Sequence, residues 1–310
     1  MAEHNRIAVA GAGNLGLQVI KALVRASYPV TVLTRSLNHK PLDVDESADV
    51  KYATVDYASR SSLTTALQGH LGVVSTITST AIGQQDTLID AAAAAGVRRF
   101  IPAEFGSDMA NPKTQVLPVY GFKAAAQAKL LEVAKFHTSF TWTAVRNGVF
   151  LDWGLQYKFL LNQQDRSITI FDDGEEPWTT TTLATVGKAV VGVFQHLDET
   201  KDRAVYIHDT VLTQKKLLQL AKAVDTASGQ EWKVDYANSE EHLKKCMDVL
   251  ANNPSEEQVG QTMYGLLPLS IYTKGYGGDS SSKSDNALLG IQTMTDAEVR
   301  AVVAGNTGKA

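Results

Sequence analysis

Arg6-Ile-Ala-Val-Ala-Gly-Ala-Gly-Asn-Leu-Gly16 is the stretch from which the rest of the chain is read. Ile7 to Ala10 form a continuous apolar run, the pattern of a buried strand. Gly11, Gly13 and Gly16 follow as G-x-G-x-x-G, and Val19, Ile20, Leu23 and Val24 then recur at helical spacing. In a strand, turn and helix of this kind each glycine has its own task. Gly11 permits the tight turn, Gly13 lets backbone approach a pyrophosphate, and Gly16 lets helix and strand pack closely. The helix start, with Asn14 and Leu15, offers free N–H groups and the positive end of a dipole to the phosphates. The stretch therefore predicts a dinucleotide site.

Outward from that turn, strands and helices alternate. Pro29–Arg35 reads as a second strand, and in this fold its end meets the adenosine ribose. An acidic residue there would suit a free 2′-hydroxyl; the chain has Thr34 and Arg35, with Lys40 nearby. A cation suits a 2′-phosphate, so the expected cofactor is NADPH/NADP+. Tyr52–Asp56 is a third strand, after which Asp56 and Tyr57 are placed to flank the adenine. Asp56 could equally cap the helix around Leu63–Leu67. Gly72–Ile77 is a fourth strand whose polar end, with Ser75, Thr76 and Thr78, should lie along the cofactor. Residues 84–95 form a helix closed by Gly96, Val97–Ile101 a fifth strand, Tyr120–Glu132 a helix, and Thr141–Gly148 a sixth strand and its exit. Such alternation with short connections predicts an α/β fold, a Rossmann-type doubly wound parallel sheet.

After about residue 150 the pattern loosens. Residues 1–150 are read as the cofactor domain and 151–310 as a smaller C-terminal α/β substrate-binding domain that returns a strand or helix to the first. Short strands are expected at Ile168–Phe171 and Ala204–Ile207, and helices from about Val186 to Leu197 and after a Thr213 cap. Gly277-Gly-Asp-Ser-Ser-Ser282 reads as a flexible stretch.

Composition narrows the function classes. The chain has 310 residues, 44% hydrophobic and 20% charged, with a net charge of −4. That is enough for a large core and does not favour nucleic acid as a partner. The single cysteine, Cys246, excludes an internal disulfide framework. It sits among Leu243, Met247 and Leu250 and reads as an inert helical thiol. The first strand begins almost at once and no apolar run is long enough to span a bilayer, so the expectation is a cytoplasmic protein without a membrane partner. Histidines are scattered, and H-E-x-x-H, C-x-x-C, G-x-S-x-G and Walker A motifs are all missing; no metal is expected.

Four stretches together resemble the NmrA-like, isoflavone-reductase-like branch of atypical short-chain dehydrogenases/reductases. They are Ile7–Gly16, Leu33-Thr-Arg-Ser36, Val97-Arg-Arg-Phe-Ile-Pro-Ala-Glu-Phe-Gly-Ser-Asp108 and Phe122-Lys123-Ala124. The resemblance is strongest over residues 5–155, and Val-x-Arg-Phe-Ile-Pro-x-Glu-Phe-Gly is its most specific part. It implies a two-domain reductase with NADPH in the crevice. By position it makes Lys123 the catalytic lysine, where an alanine-rich helix alone would suggest a surface lysine. It sets Asn147, Gly148 and Phe150 at the nicotinamide end, with Glu104 and Phe105 in the loop beside it. Ordinary short-chain dehydrogenases carry Tyr-x-x-x-Lys; here Tyr120 precedes Lys123 by three residues. One residue of slip turns a side chain by about 100° around a helix. Tyr120 is therefore read either as a second proton donor or as a packing aromatic. Glu104 either orders the loop or caps the next turn, and Asp108 is read as a cap.

The leading expectation is an NADPH-dependent reductase of a small aromatic or conjugated specialised metabolite, reducing C=O, C=N or an activated C=C. Phe105, Phe150, Trp153 and Tyr157 are the expected substrate contacts. Two alternatives stand beside it: a non-catalytic NADP(H)-sensing regulator, and an enzyme using NADP(H) structurally for a non-redox step. Homodimer formation is left open.

Overall fold

The computed structural model describes residues 5–36, 43–44, 47–78, 83–224 and 230–306. The first half runs β1 Ile7–Ala10, α1 Asn14–Arg25, β2 Val30–Thr34, β3 Val50–Thr54, α2 Arg60–Leu67, β4 Gly72–Ser75, α3 Gln85–Ala94, β5 Arg99–Ile101, α4 Pro112–Gln115, α5 Gly121–Phe136 and β6 Thr141–Arg146. The second half runs β7 Val149–Phe150, α6 Leu151–Gln156, β8 Ser167–Phe171, β9 Trp178–Thr181, α7 Leu183–Gln195, β10 Arg203–Tyr206, β11 Thr210–Leu212, α8 Gln214–Val224, β12 Lys233–Ala237, α9 Ser239–Ala251, α10 Glu256–Tyr272 and α11 Asp296–Gly305.

Among the described residues, seven strands form one sheet in the order β10-β6-β5-β4-β1-β2-β3. Every neighbouring pair in it is parallel. The order reverses between β1 and β4, and a crevice opens outside the carboxyl ends of strands at such a switch point. Strand alternation divides the core. Ala8 and Ala10 face one side, with Leu63, Leu67, Leu88 and Leu130. Ile7 and Val9 face the other, with Val19, Leu23, Val186 and Val190. The sheet is thus sealed on both faces, as parallel sheets require.

Elements from after residue 150 pack against those before it. β10 pairs with β6 at the sheet edge, and α7 packs on α1. The remaining strands form two small sheets, β11-β9-β7 and β12-β8. Local chemistry sets the helix starts. Ser59, Thr182 and Asn238 cap α2, α7 and α9, while Ser255 and Thr295 form capping boxes on α10 and α11. Thr213 Oγ1 accepts from Lys216 N at 3.1 Å, as expected of a cap. The expected flexible stretch at 277–282 is instead pinned. Thr179 donates from N and Oγ1 to Gly278 O at 3.0 and 3.1 Å, and Ser280 is buried. Small residues here permit close packing against β9, which composition alone reads as freedom.

Candidate active site

The glycine turn is built as its sequence requires. Gly11 has φ +100°, and a Cβ on it would lie 2.9 Å from Thr76 O. A Cβ on Gly16 would lie 2.2 Å from Gly11 O. Gly13 differs: a Cβ there would meet nothing within 4 Å, so the turn leaves open space on that side. Gly13 is also the N-cap of α1 and, unlike the caps above, supplies no side chain. The first N–H groups of α1 are left for an incoming anion. Thr76 braces the turn, donating Oγ1 to Gly11 O at 2.8 Å and Ala10 O at 3.1 Å. Asn14 Nδ2 donates to the Tyr157 hydroxyl at 2.9 Å, which ties the turn to the second half. Leu15 and Phe150 pack against the same apolar cluster.

At the end of β2, Arg35 is exposed and Thr34 Oγ1 donates to Ser36 O at 2.8 Å. Tyr57 is buried with its hydroxyl on Leu33 O at 3.3 Å. Burial pushes that phenol up to about 12, opposed by the charge of Arg35 beside it. Tyr57 is therefore a wall of this corner rather than a free ring. Asp56 is exposed and accepts from Ala58 N at 2.9 Å. It does not cap α2; Ser59 does, because its side chain stands one residue before Arg60. Thr78 is exposed beyond β4. Lys40 lies outside the described residues.

Lys123 lies in the first turn of α5, against the loop that follows β5. Its Nζ donates to Glu104 O at 2.8 Å and Phe105 O at 3.0 Å. The residue as a whole is half-buried and its ammonium is the enclosed end. Burial lowers its pKa to about 8, opposed by the charge of Glu104. Tyr120 is the N-cap residue of α5, before the helix proper. Its ring lies 5.8 Å from Lys123 Nζ. Its hydroxyl shares hydrogen bonds with Ser270 Oγ at 2.6 Å and Ser107 Oγ at 2.8 Å, and burial raises its pKa. Tyr120 thus fits the packing reading better than the donor reading. Phe105 is buried in the sheet core, with little surface to offer a substrate.

Ser75 and Asn147, at the carboxyl ends of β4 and β6, are fully buried. Ser75 Oγ and Asn147 Oδ1 have no hydrogen-bond partner among the described residues. Such orphans cost about 1–3 kcal/mol each and mark an edge whose polar demands the chain does not itself meet. Gly148 has φ +61°, with Thr179 O 2.1 Å from where its Cβ would be, so only glycine passes here.

Several partners at this edge go beyond the sequence reading. Arg146 Nε donates to Glu104 Oε1 at 2.9 Å, and its Nη1 to Asp108 Oδ1 at 3.0 Å and the Tyr206 hydroxyl at 2.7 Å. Lys283 Nζ donates to Asp108 Oδ2 at 2.6 Å. Asp108 does cap its turn, accepting from Ala110 N at 3.0 Å, but it is also the hub of a buried ion cluster. Burial alone would raise its carboxyl; Lys283, Ala110 N–H, Tyr206 and Arg146 hold it below the usual range. No local signal in the sequence marks the cluster, because a buried arginine in an apolar strand is served by neutral oxygens as readily as by acids, as Arg99 is.

A row of rings begins at Tyr157. Trp153 lies 5.0 Å from Tyr157 and 6.4 Å from Phe159, and Phe159 meets Tyr264 edge-on at 5.3 Å. The last two line a cavity of about 360 Å³ under α10, with His242 and Tyr272. Cys246 is buried beside Leu266 and its thiol is pushed up by burial, as an inert thiol should be. Among the described residues no group of acids, histidines and cysteine could hold a metal ion, and no helix is long and apolar enough to cross a membrane.

Comparison with known proteins points the same way. The model of the NmrA-like family matches residues 3–266. Oxidoreductase aprR of Aspergillus flavus is 31% identical over 300 residues, covering 96% of this chain and 97% of that protein. Oxidoreductase poxI of Penicillium oxalicum is 30% identical over 302 residues, covering 94% and 91%. Two solved structures share the fold at lower identity. AtPrR2 with NADP+ and (+)pinoresinol has a TM-score of 0.76 at 18% identity over 99% of this chain and 100% of that one. The ternary complex of leucoanthocyanidin reductase from Vitis vinifera has a TM-score of 0.76 at 19% identity, over 97% and 99%.

Proposed function

This chain belongs to the NmrA-like family, and on that premise we propose that it is an NADPH-dependent reductase of a small aromatic or conjugated molecule. The observation that carries the reading is the pairing of two features at the carboxyl ends of one parallel sheet. The glycine turn after β1 leaves open space at Gly13 and an uncapped helix start, and an enclosed lysine is held by the loop after β5. Relatives named as oxidoreductases and fold neighbours solved with NADP+ support it.

The residues present fit the cofactor. Gly11 to Gly16 would receive the pyrophosphate, Arg35 the 2′-phosphate, and Ser75, Asn147 and Gly148 would line the nicotinamide end. Bound NADPH supplies a hydride, and the protein has to position the acceptor and handle a proton. Lys123 suits that task. With a pKa of about 8 it is mostly protonated at neutral pH, yet it gives up its proton more readily than a solvated lysine. Trp153 and Tyr157 present half-buried and exposed ring surface next to Asn14, which suits a flat substrate.

The test is NADPH consumption across a panel of aromatic aldehydes, enones and cyclic imines. Turnover with at least one class is expected. Lys123→Met should then slow single-turnover oxidation about 10²–10⁴-fold while NADPH affinity changes little. NADPH binding without consumption by any class would overturn the reductase reading in favour of a sensor.

A further inference from the structure

We propose that Arg146 is a positioning residue, which clamps the Glu104–Asp108 loop so that its backbone carbonyls hold the Lys123 ammonium in the crevice. The proposal rests on the reading of Lys123 as the proton-handling group. Among the described residues Lys123 has no side-chain acceptor; its hydrogen bonds there end on carbonyls of one loop, at Glu104 and Phe105. Where the lysine points therefore depends on how rigidly that loop is held.

The loop is held through its two acids. Glu104 and Asp108 are four residues apart, and a single guanidinium spans both from the end of β6. All three side chains are buried. The clamp is braced from behind: the Tyr206 ring lies 5.5 Å from the guanidinium and 5.2 Å from Lys283 Nζ, and its hydroxyl donates to Asp108 Oδ1 at 2.9 Å. Gly148 N also donates to Gly106 O at 3.1 Å, so the turn just after β6 grips the loop by backbone as well. Glu104 thus has two roles through two different atoms. Its carboxylate takes Arg146 and its backbone carbonyl takes Lys123.

This arrangement has an electrostatic consequence of defined sign. Glu104 is the charged group acting on Lys123, and it favours the protonated amine. Among the described residues the other titratable group against the ammonium is the Tyr120 ring. Arg146 offsets the Glu104 charge. Removing Arg146 leaves the carboxylate's field on Lys123 uncompensated and should raise the lysine's midpoint. Removing the carboxylate as Glu104→Gln should lower it.

Competitive acetylation with labelled acetic anhydride, read by mass spectrometry on the Lys123 peptide across pH, measures that midpoint without any substrate. The wild type is expected near 8. Glu104→Gln should move it down and Arg146→Met up, each by about one pH unit, with Arg146→Lys between wild type and Arg146→Met because it keeps the charge but not the fork. Glu104→Gln is nearly isosteric, so it tests the proposal even if Arg146→Met fails to fold. An unchanged midpoint in Glu104→Gln, or shifts of the same sign in both variants, would overturn the proposal. The midpoint is read without turnover. A protein that proves to be a sensor would therefore fail the NADPH-consumption test, while the sign of the two shifts would still decide whether Arg146 holds the loop.

Discussion

Two arginines are buried in neighbouring strands, at opposite edges of the same sheet. Arg99 opens β5 at the amino edge and Arg146 closes β6 at the carboxyl edge. Arg99 is served by neutral oxygens: Thr141, Thr143 and Thr200 hydroxyls at 2.9, 2.7 and 2.7 Å, and the Leu197 carbonyl. Burial lowers its pKa to about 10. Arg146 is served by two carboxylates and a phenol; burial opposes its charge, but Glu104 and Tyr206 raise its pKa. The amino edge therefore solves a packing problem, bolting the returned segment near residue 200 to β5 and β6. The carboxyl edge concentrates opposed charges next to Lys123, the orphaned Ser75 and Asn147, and the open side of Gly13. One sheet thus has a structural edge and a chemical edge.

The sharpest way to break this comparison is to delete each cation. Arg146→Met strands Glu104 and leaves Asp108 to Lys283 and Tyr206, and breaking a buried ion pair costs about 3–5 kcal/mol. Arg99→Met strands hydroxyls and a carbonyl, which costs about 1–3 kcal/mol. Urea unfolding of the two variants should rank them in that order; a larger loss at Arg99 would reverse the assignment of edges.

The second effect is pH-dependent. Lys123 has a folded pKa of about 8 against an unfolded 10.5. Between these values the unfolded chain binds the extra proton, so stability rises with pH there. The enclosed ammonium destabilises the fold fully below about pH 8, and the penalty is relieved as pH approaches 10.5. The stability of wild type relative to Lys123→Met should therefore improve by roughly 3 kcal/mol between pH 7 and 10.5. Thermal melts across that range check it, and a gap that stays constant would mean the ammonium is solvated. Lys129, six residues along the same helix, pairs with Asp90 at 2.9 Å near the surface, and its pKa is raised. Lys129→Met should cost at most about 1 kcal/mol.

A third effect sharpens the adenosine corner. Arg35→Ala should weaken NADPH by about 1.5–3 kcal/mol, the range for hydrogen bonds to charged groups, and leave NADH nearly unchanged. Paired titrations measure it; equal losses for both cofactors would remove Arg35 from the 2′-phosphate.

The two edges also differ in how far they can be read from sequence. The switch point is legible because its determinants are local. Ile7 to Gly16 contain strand, turn and helix start within one window, and each later strand repeats an apolar run bounded by a turn. The helix containing Lys123 and the returning strand at residues 203–206 are legible for the same reason. The ion cluster is not. Arg146 lies 42 residues from Glu104 and 38 from Asp108, and Lys283 lies 175 residues from Asp108. No periodicity links such residues; only the closed sheet does. Asp108 reads as a local cap because that part of its bonding is local. The segment 277–282 reads as flexible because small polar residues do not reveal that Thr179 will hold Gly278.

The central claim is that the chemical edge is a dinucleotide site, and a calorimetric titration with NADPH tests it most directly. Wild type is expected to bind one NADPH per chain. Gly13→Val should abolish that binding while its far-ultraviolet spectrum and melting temperature stay near wild type, because a Cβ on Gly13 meets nothing of the protein within 4 Å. A folded Gly13→Val variant that still bound NADPH with wild-type affinity would contradict the account.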